Sequence, residues 1–194
     1  MSRHLDEELS QIKTQLLEMG GCVEKAVEEA IQGLIRRETE RLDEVHRLED
    51  RIDDAHLAVD EACIALLARQ QPMANDLRWV VAVLKINADL ERMGDQAVNI
   101  AQNAALYLEK DPIKPLVDIP KMAQIVQRMV RESLDALVRL DEPLARKVLT
   151  EDDAVDNLKN GIFLELMELM KSGTTDIEQA MRLILIARNL ERLG

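Results

Sequence analysis

Apolar residues recur three and four positions apart along almost the whole chain, and no convincing stretch switches to strict alternation. That period belongs to helices with one buried face. The first run (Leu5, Leu9, Ile12, Leu16, Met19, Val23, Val27, Ile31, Leu34) predicts a helix from about Leu5 to Arg36. It passes through Gly20-Gly21, a pair suited to a bend or a close crossing. A second run from Leu42 to Leu66 predicts a helix capped by Thr39 and reaching about Arg69. Gln70-Gln71-Pro72 ends it, and Pro72 fits the opening of a third helix that reaches about Leu108.

Glu109 to Pro120 contains three prolines and is the credible boundary. Beyond it, Asp118 caps a fourth helix that reaches about Leu140, and Asp141 with Pro143 opens a fifth that Ser172-Gly173 breaks. Thr175 with Glu178 forms a capping box for a sixth, which carries Ile177, Ala180, Met181, Ile184, Ile186, Leu190 and Leu193.

The six helices come as two sets of three. Leu90 to Gly94 reads LERMG and Leu190 to Gly194 reads LERLG, and Met19 to Asp53 lies over Met122 to Asp156 without a gap. An internal duplication follows. The predicted fold is all-α, a tandem repeat of two antiparallel three-helix bundles: residues 1–110, a proline-containing linker at 111–120, and residues 121–194. The sixth helix, stopping at Gly194, is shorter than its counterpart, so a shortened version of the chain is expected. That would leave Met122, Ile125, Met129 and Val155 partly bare and favour their burial against a second copy, a homodimer.

Composition narrows the partners. A formal net charge of −12 disfavours nucleic acid and an anionic membrane surface. No apolar run spans a bilayer, and the first residues carry acids where a signal segment would be apolar. Cys22 and Cys63 sit among apolar helical positions as packed, reduced thiols, which fits a cytoplasmic protein.

The candidate chemistry is acidic. Glu49 and Asp53, Glu91 and Asp95, and Asp152 and Asp156 are each four apart, on one side of their helices and flanking the apolar stripes. Carboxylates from adjacent helices make a hard oxygen site for Mg²⁺, Mn²⁺, Ca²⁺ or iron, which His56 or Asn99 could complete. The competing reading is plain surface ion pairing with Arg51, Arg92 or Arg188. There is no glycine-rich phosphate loop, no zinc-type Cys/His spacing and no activated nucleophile context. A di-iron carboxylate enzyme would place a Glu-x-x-His pair on each of two helices, and none is present. The alternatives are a metal-dependent, di-iron carboxylate-like enzyme, or a purely structural helical interaction protein.

The string Asn87-Ala88-Asp89-Leu90-Glu91-Arg92-Met93-Gly94-Asp95-Gln96-Ala97-Val98-Asn99-Ile100-Ala101, the two-copy layout, the Pro72-Met73 helix opening and Glu49 to Asp53 resemble the PhoU family over nearly the whole chain. The resemblance implies paired three-helix bundles in the cytoplasm and a non-enzymatic negative regulator of phosphate uptake. It also implies coupling of the ATPase of a phosphate ABC transporter to the sensor histidine kinase of phosphate starvation. Multinuclear iron, or another metal such as Zn, Mn, Mg or Ca, is implied on Glu49, Asp53, Glu91, Asp95, Asp152, Asp156 and Glu191. The partner four residues beyond Glu191 is absent from this chain.

Overall fold

The computed structural model describes residues 2–173 and 175–194, and its elements are six helices: α1 (Ser2–Arg36), α2 (Thr39–Gln70), α3 (Ala74–Leu108), α4 (Asp118–Arg139), α5 (Glu142–Lys171) and α6 (Ile177–Glu191). Helix ends shift from the sequence reading where a different group caps them. Thr39 and Asp118 are first helical residues, preceded by Glu38 and Val117 at the cap positions. Gln71 in a left-handed conformation closes α2, and α3 begins only after extended Met73, two residues later than Pro72. Asp141 caps α5 as expected, accepting from the Leu144 N–H at 3.0 Å. Asp176, not Thr175, caps α6: its carboxylate accepts from Glu178 and Gln179 N–H at 2.9 and 3.2 Å. Glu178 is instead paired with Lys110 at 3.1 Å, so no capping box forms.

Helices α1, α2 and α3 pack on one another, as do α4, α5 and α6, while α1 against α4 and α3 against α6 join the two units around one continuous core. The outermost helices are α2 and α5. The α1–α4 crossing explains half of the glycine pair: a Cβ at Gly20 would overlap the Leu134 Cδ1, whereas one at Gly21 would meet open space. Gln127 Nε2 donates to the Glu24 carbonyl at 3.1 Å. These two residues hold the same position in the duplicated frame, so they meet across a pseudo-twofold axis.

The duplicated lattice is buried in both copies at Met19 and Met122, Val23 and Val126, Ile31 and Leu134, Ile52 and Val155, and Leu90 and Leu190. Leu34 is buried while its counterpart Leu137 is half-buried, because α6 does not reach the far end of α4 as α3 reaches that of α1. The expected bare patch lies elsewhere than the sequence reading put it. Met122, Met129 and Val155 are enclosed and Ile125 half-buried: α1 of the other unit covers α4, and α5 packs on α4 and α6. In the second unit the most exposed apolar side chains are Leu140 and Leu149, 75% and 77% exposed.

An ion tie also recurs. Glu29, only 6% exposed, holds Lys25 and Arg41 at 2.7 Å each, fastening α1 to α2. Burial pushes its carboxyl up, but the hydrogen bonds from Lys25 and Arg41 outweigh that and hold it below its ordinary value. Its repeat counterpart Glu132 takes Lys147 at 2.8 Å and fastens α4 to α5. Cys63 is fully buried, and burial raises its thiol to about 11, so it packs as an inert apolar group.

Candidate functional site

The acidic pairs lie along the seams between the second and third helix of each unit. In the first seam, Leu48 and Ile52 point into the core and bring Glu49 to the seam, and Leu90 does the same for Glu91. Gly94 makes the approach close: a Cβ there would sit 3.2 Å from Ile52 Cδ1 and 3.3 Å from Ile52 Cγ2. Glu49 is half-buried, and Asp53 and Asp95 are exposed. Burial, then the charges of Asp53, Asp50 and Asp95, raise the Glu49 carboxyl above its ordinary value. Among the described residues no lysine or arginine ion-pairs with Glu49, Asp53, Glu91 or Asp95; Arg92 is held by Asp89 at 3.3 Å instead.

Of the two candidate auxiliary ligands, His56 is turned to another helix and Asn99 stands at the surface. His56 Nδ1 lies 3.3 Å from the Asn87 carbonyl, and Asn87 Nδ2 donates to the His56 carbonyl at 2.9 Å. Asn87 is fully buried, so this reciprocal clip locks α2 to α3 and sets their register. Asn99 is exposed, and its carbonyl accepts from Asn103 Nδ2 at 2.8 Å.

The second seam solves the same charge problem internally. Lys159, at the repeat position of His56, donates to Asp156 at 2.7 Å and to Glu191 at 3.3 Å. Asp156 and then Glu191, against the opposing effect of burial, hold the ammonium above its ordinary value. Asp152 stays exposed. Ala187 stands where Asn87 stands in the first unit, so there is no matching clip. A cavity of about 340 Å³ opens there, lined by Lys159, Phe163, Ile184, Ala187, Arg188 and Glu191.

Among the described residues, no three His, Cys, Asp or Glu side chains gather in a way that could hold a metal ion. This overturns the expected resident metal, whether iron, Zn, Mn, Mg or Ca. The physical reason differs by seam: in the first, His56 is turned onto the α3 backbone, and in the second Lys159 already supplies the cation. What remains is one open acidic seam and one self-neutralised seam. Sequence reasoning missed Lys159 and Asn87, although laying the two repeats over one another puts Lys159 on His56 and Ala187 on Asn87.

This architecture has known relatives. The model of the PhoU domain matches twice, over residues 16–104 and 119–194, one match in each unit. The chain is 39% identical to a phosphate-specific transport system accessory protein PhoU homolog of Aquifex aeolicus, over 97% of this chain and 85% of the relative. It is 31% identical to the Escherichia coli PhoU accessory protein, over 100% of this chain and 80% of that one. The crystal structure of PhoU from Pseudomonas aeruginosa superposes with a TM-score of 0.92 at 35% identity, covering 97% of this chain and 90% of that one. The PhoU regulatory protein of Streptococcus pneumoniae superposes at 0.90 with 25% identity, covering 97% and 89%. With both units matched and the six-helix layout reproduced, the chain belongs to the PhoU family, as a regulatory, non-catalytic protein of phosphate homeostasis.

Proposed function

We propose that the chain is a cytoplasmic adaptor that restrains phosphate uptake and phosphate-starvation signalling by docking on the ATPase of a phosphate ABC transporter and on a sensor histidine kinase. The supporting observation is the pair of PhoU-domain matches laid over two units that share one core. A scaffold of that kind presents fixed surfaces to partners, and among the described residues no helix is long and apolar enough to cross a membrane. On this reading Glu49, Asp53, Glu91 and Asp95 serve as docking groups for basic partner side chains. Asp152, Asp156 and Glu191 are the weaker set, because Lys159 competes for two of them. We read residues 1–110 and 121–194 as the two working units and 111–120 as their link. The apolar Leu140 and Leu149 at the far end of α4 and α5 favour a homodimer formed there.

Deleting the gene in its host at ample phosphate tests the reading. Phosphate uptake and a phosphate-starvation reporter are both expected to rise, and the tagged chain is expected to co-purify with the transporter ATPase and the kinase. Unchanged uptake and reporter activity in the deletion strain would overturn it.

A further inference from the structure

We propose that the α2–α3 seam, at the end nearest its hairpin turn, is a docking groove for a basic amphipathic helix of a partner protein. Four large apolar side chains stand bare there: Leu57 and Ile64 on α2, and Leu77 and Val81 on α3, between 41% and 66% exposed. The His56–Asn87 clip fixes the antiparallel register, which puts Ile64 level with Leu77 and Val81, and Leu57 level with half-buried Leu84. Leu77, Val81 and Leu84 fall on one side of α3. The bonds Arg182–Asn103 and Lys110–Asp176 seat α6 against the later half of α3, so this earlier half keeps its outer face uncovered.

The α3 half of the apolar strip occurs twice in the molecule, whereas on the other side Leu57 and Ile64 give way to Asn160 and Met167. Ile177, Met181 and Ile184 occupy on α6 the places of Leu77, Val81 and Leu84, and Ile177 and Met181 are exposed as well. The rims of the two seams differ too. In the first, Asp53, Asp60 and Glu61 border the apolar strip on the α2 side, where among the described residues none has a lysine or arginine partner, while Arg78 and Lys85 stand exposed on the α3 side. The corresponding positions in the second seam are Asp156, held by Lys159, and the apolar Phe163 and Leu164. Charge complementarity on the α2 side therefore commits the first groove to a helix with an apolar face and Lys or Arg along the flank that lies over α2.

The inference rests on the reading of the chain as a docking regulator, and its test stands apart from the deletion phenotype. The probe is a short fluorescent helical peptide with leucines at i, i+3, i+4 and i+7 and lysines on the flanks, titrated into the full chain by anisotropy. A matched peptide with glutamates in place of the lysines is the control. The lysine peptide is expected to bind, increasingly weakly as salt is raised, and the glutamate peptide to bind at least about tenfold worse. Ile64→Gln with Val81→Gln is expected to weaken binding at least about tenfold, whereas Ile177→Gln with Met181→Gln changes it less than about twofold. Asp53→Asn with Asp60→Asn and Glu61→Gln should weaken binding and flatten its salt dependence. Equal binding of both peptides, equal effects of the two glutamine pairs, or a dimer that Ile64→Gln with Val81→Gln dissolves would each overturn the groove. A groove that fails in a host still deregulated by the deletion leaves the phosphate reading intact. A groove that binds as specified in a host unaffected by the deletion leaves the groove and removes that reading.

Discussion

The α2–α3 and α5–α6 seams descend from one pattern and now handle charge in opposite ways. Both keep the buried leucine of the pentapeptide, and both carry a carboxylate on either side of the crevice. In the first, the clip between His56 and Asn87 turns the imidazole Nδ1 onto the α3 backbone, and among the described residues Glu49, Asp53 and Asp95 have no lysine or arginine partner. In the second, Lys159 reaches between Asp156 and Glu191. Apolar positions are constrained by the volume they fill on every side, so duplication preserves them. Polar seam positions answer only to one or two neighbours. A single replacement, His56 in one repeat and Lys159 in the other, is enough to turn an open acidic surface into a closed ion pair.

The largest expected contrast is at the pentapeptide glycines. Gly94→Leu has no space beside Ile52 in the first seam and should cost about 3 kcal/mol in denaturant unfolding. Gly194→Leu, whose nearest neighbours at 3.5 to 3.7 Å are the flexible end of Met129 and the Glu191 carbonyl, should change stability by less than about 0.5 kcal/mol. Equal effects would mean that the first seam is no tighter than the second.

Next come the ion ties. Glu29→Gln removes the nearly buried acid that ties Lys25 and Arg41 together, leaving them only Glu28 and Glu38, and should cost about 2 kcal/mol, against about 1 kcal/mol for Glu132→Gln, whose partner is more exposed. The sign with pH follows from the lowered Glu29 carboxyl. Its contribution is present above the ordinary value of 4.5 and is lost as pH falls through the depressed folded-state value. The gap between wild type and Glu29→Gln should therefore close on acidification, and a gap constant down to acid pH would contradict the tie.

Smaller still are the seam charges. Lys159→Met should cost about 0.5 kcal/mol, because the pair is partly solvated, and the loss should shrink as salt rises. Glu49→Gln should do the reverse and raise the melting temperature at neutral pH, since a raised carboxyl favours the fold only while protonated. That gain should vanish below the ordinary value of 4.5, where the wild-type carboxyl is protonated in both states. Finding the two substitutions to act in the same direction would erase the distinction between the seams.

The architecture was written in the chain because it rests on periodicity: the runs ending at Arg36, Leu108 and Lys171 needed only the spacing of apolar residues. The pairing of repeats was equally readable, but the meeting of Gln127 with Glu24 across the pseudo-twofold was not, since equivalent positions in a duplication need not touch. Helix starts were harder, since Asp176 and Thr175 are both good caps and only the ion pair of Lys110 with Glu178 separates them. The acidic pairs were found, but their consequence was misread. Spacing shows that Glu49 and Asp53 share a side, not where a third ligand turns, and His56 turns to the backbone of α3. The covering of Met122 and Met129 depended on contact between units, which no local pattern encodes.

The central claim is that the first seam is the working surface and the second is not. The direct measurement is complementation of a deletion strain at ample phosphate, reading a phosphate-starvation reporter. The account predicts that the chain carrying Ile177→Gln and Met181→Gln restores repression as the wild type does, while the chain carrying Ile64→Gln and Val81→Gln, present at the same level, leaves the reporter high. Full repression by both variants, or failure of both alike, would contradict it.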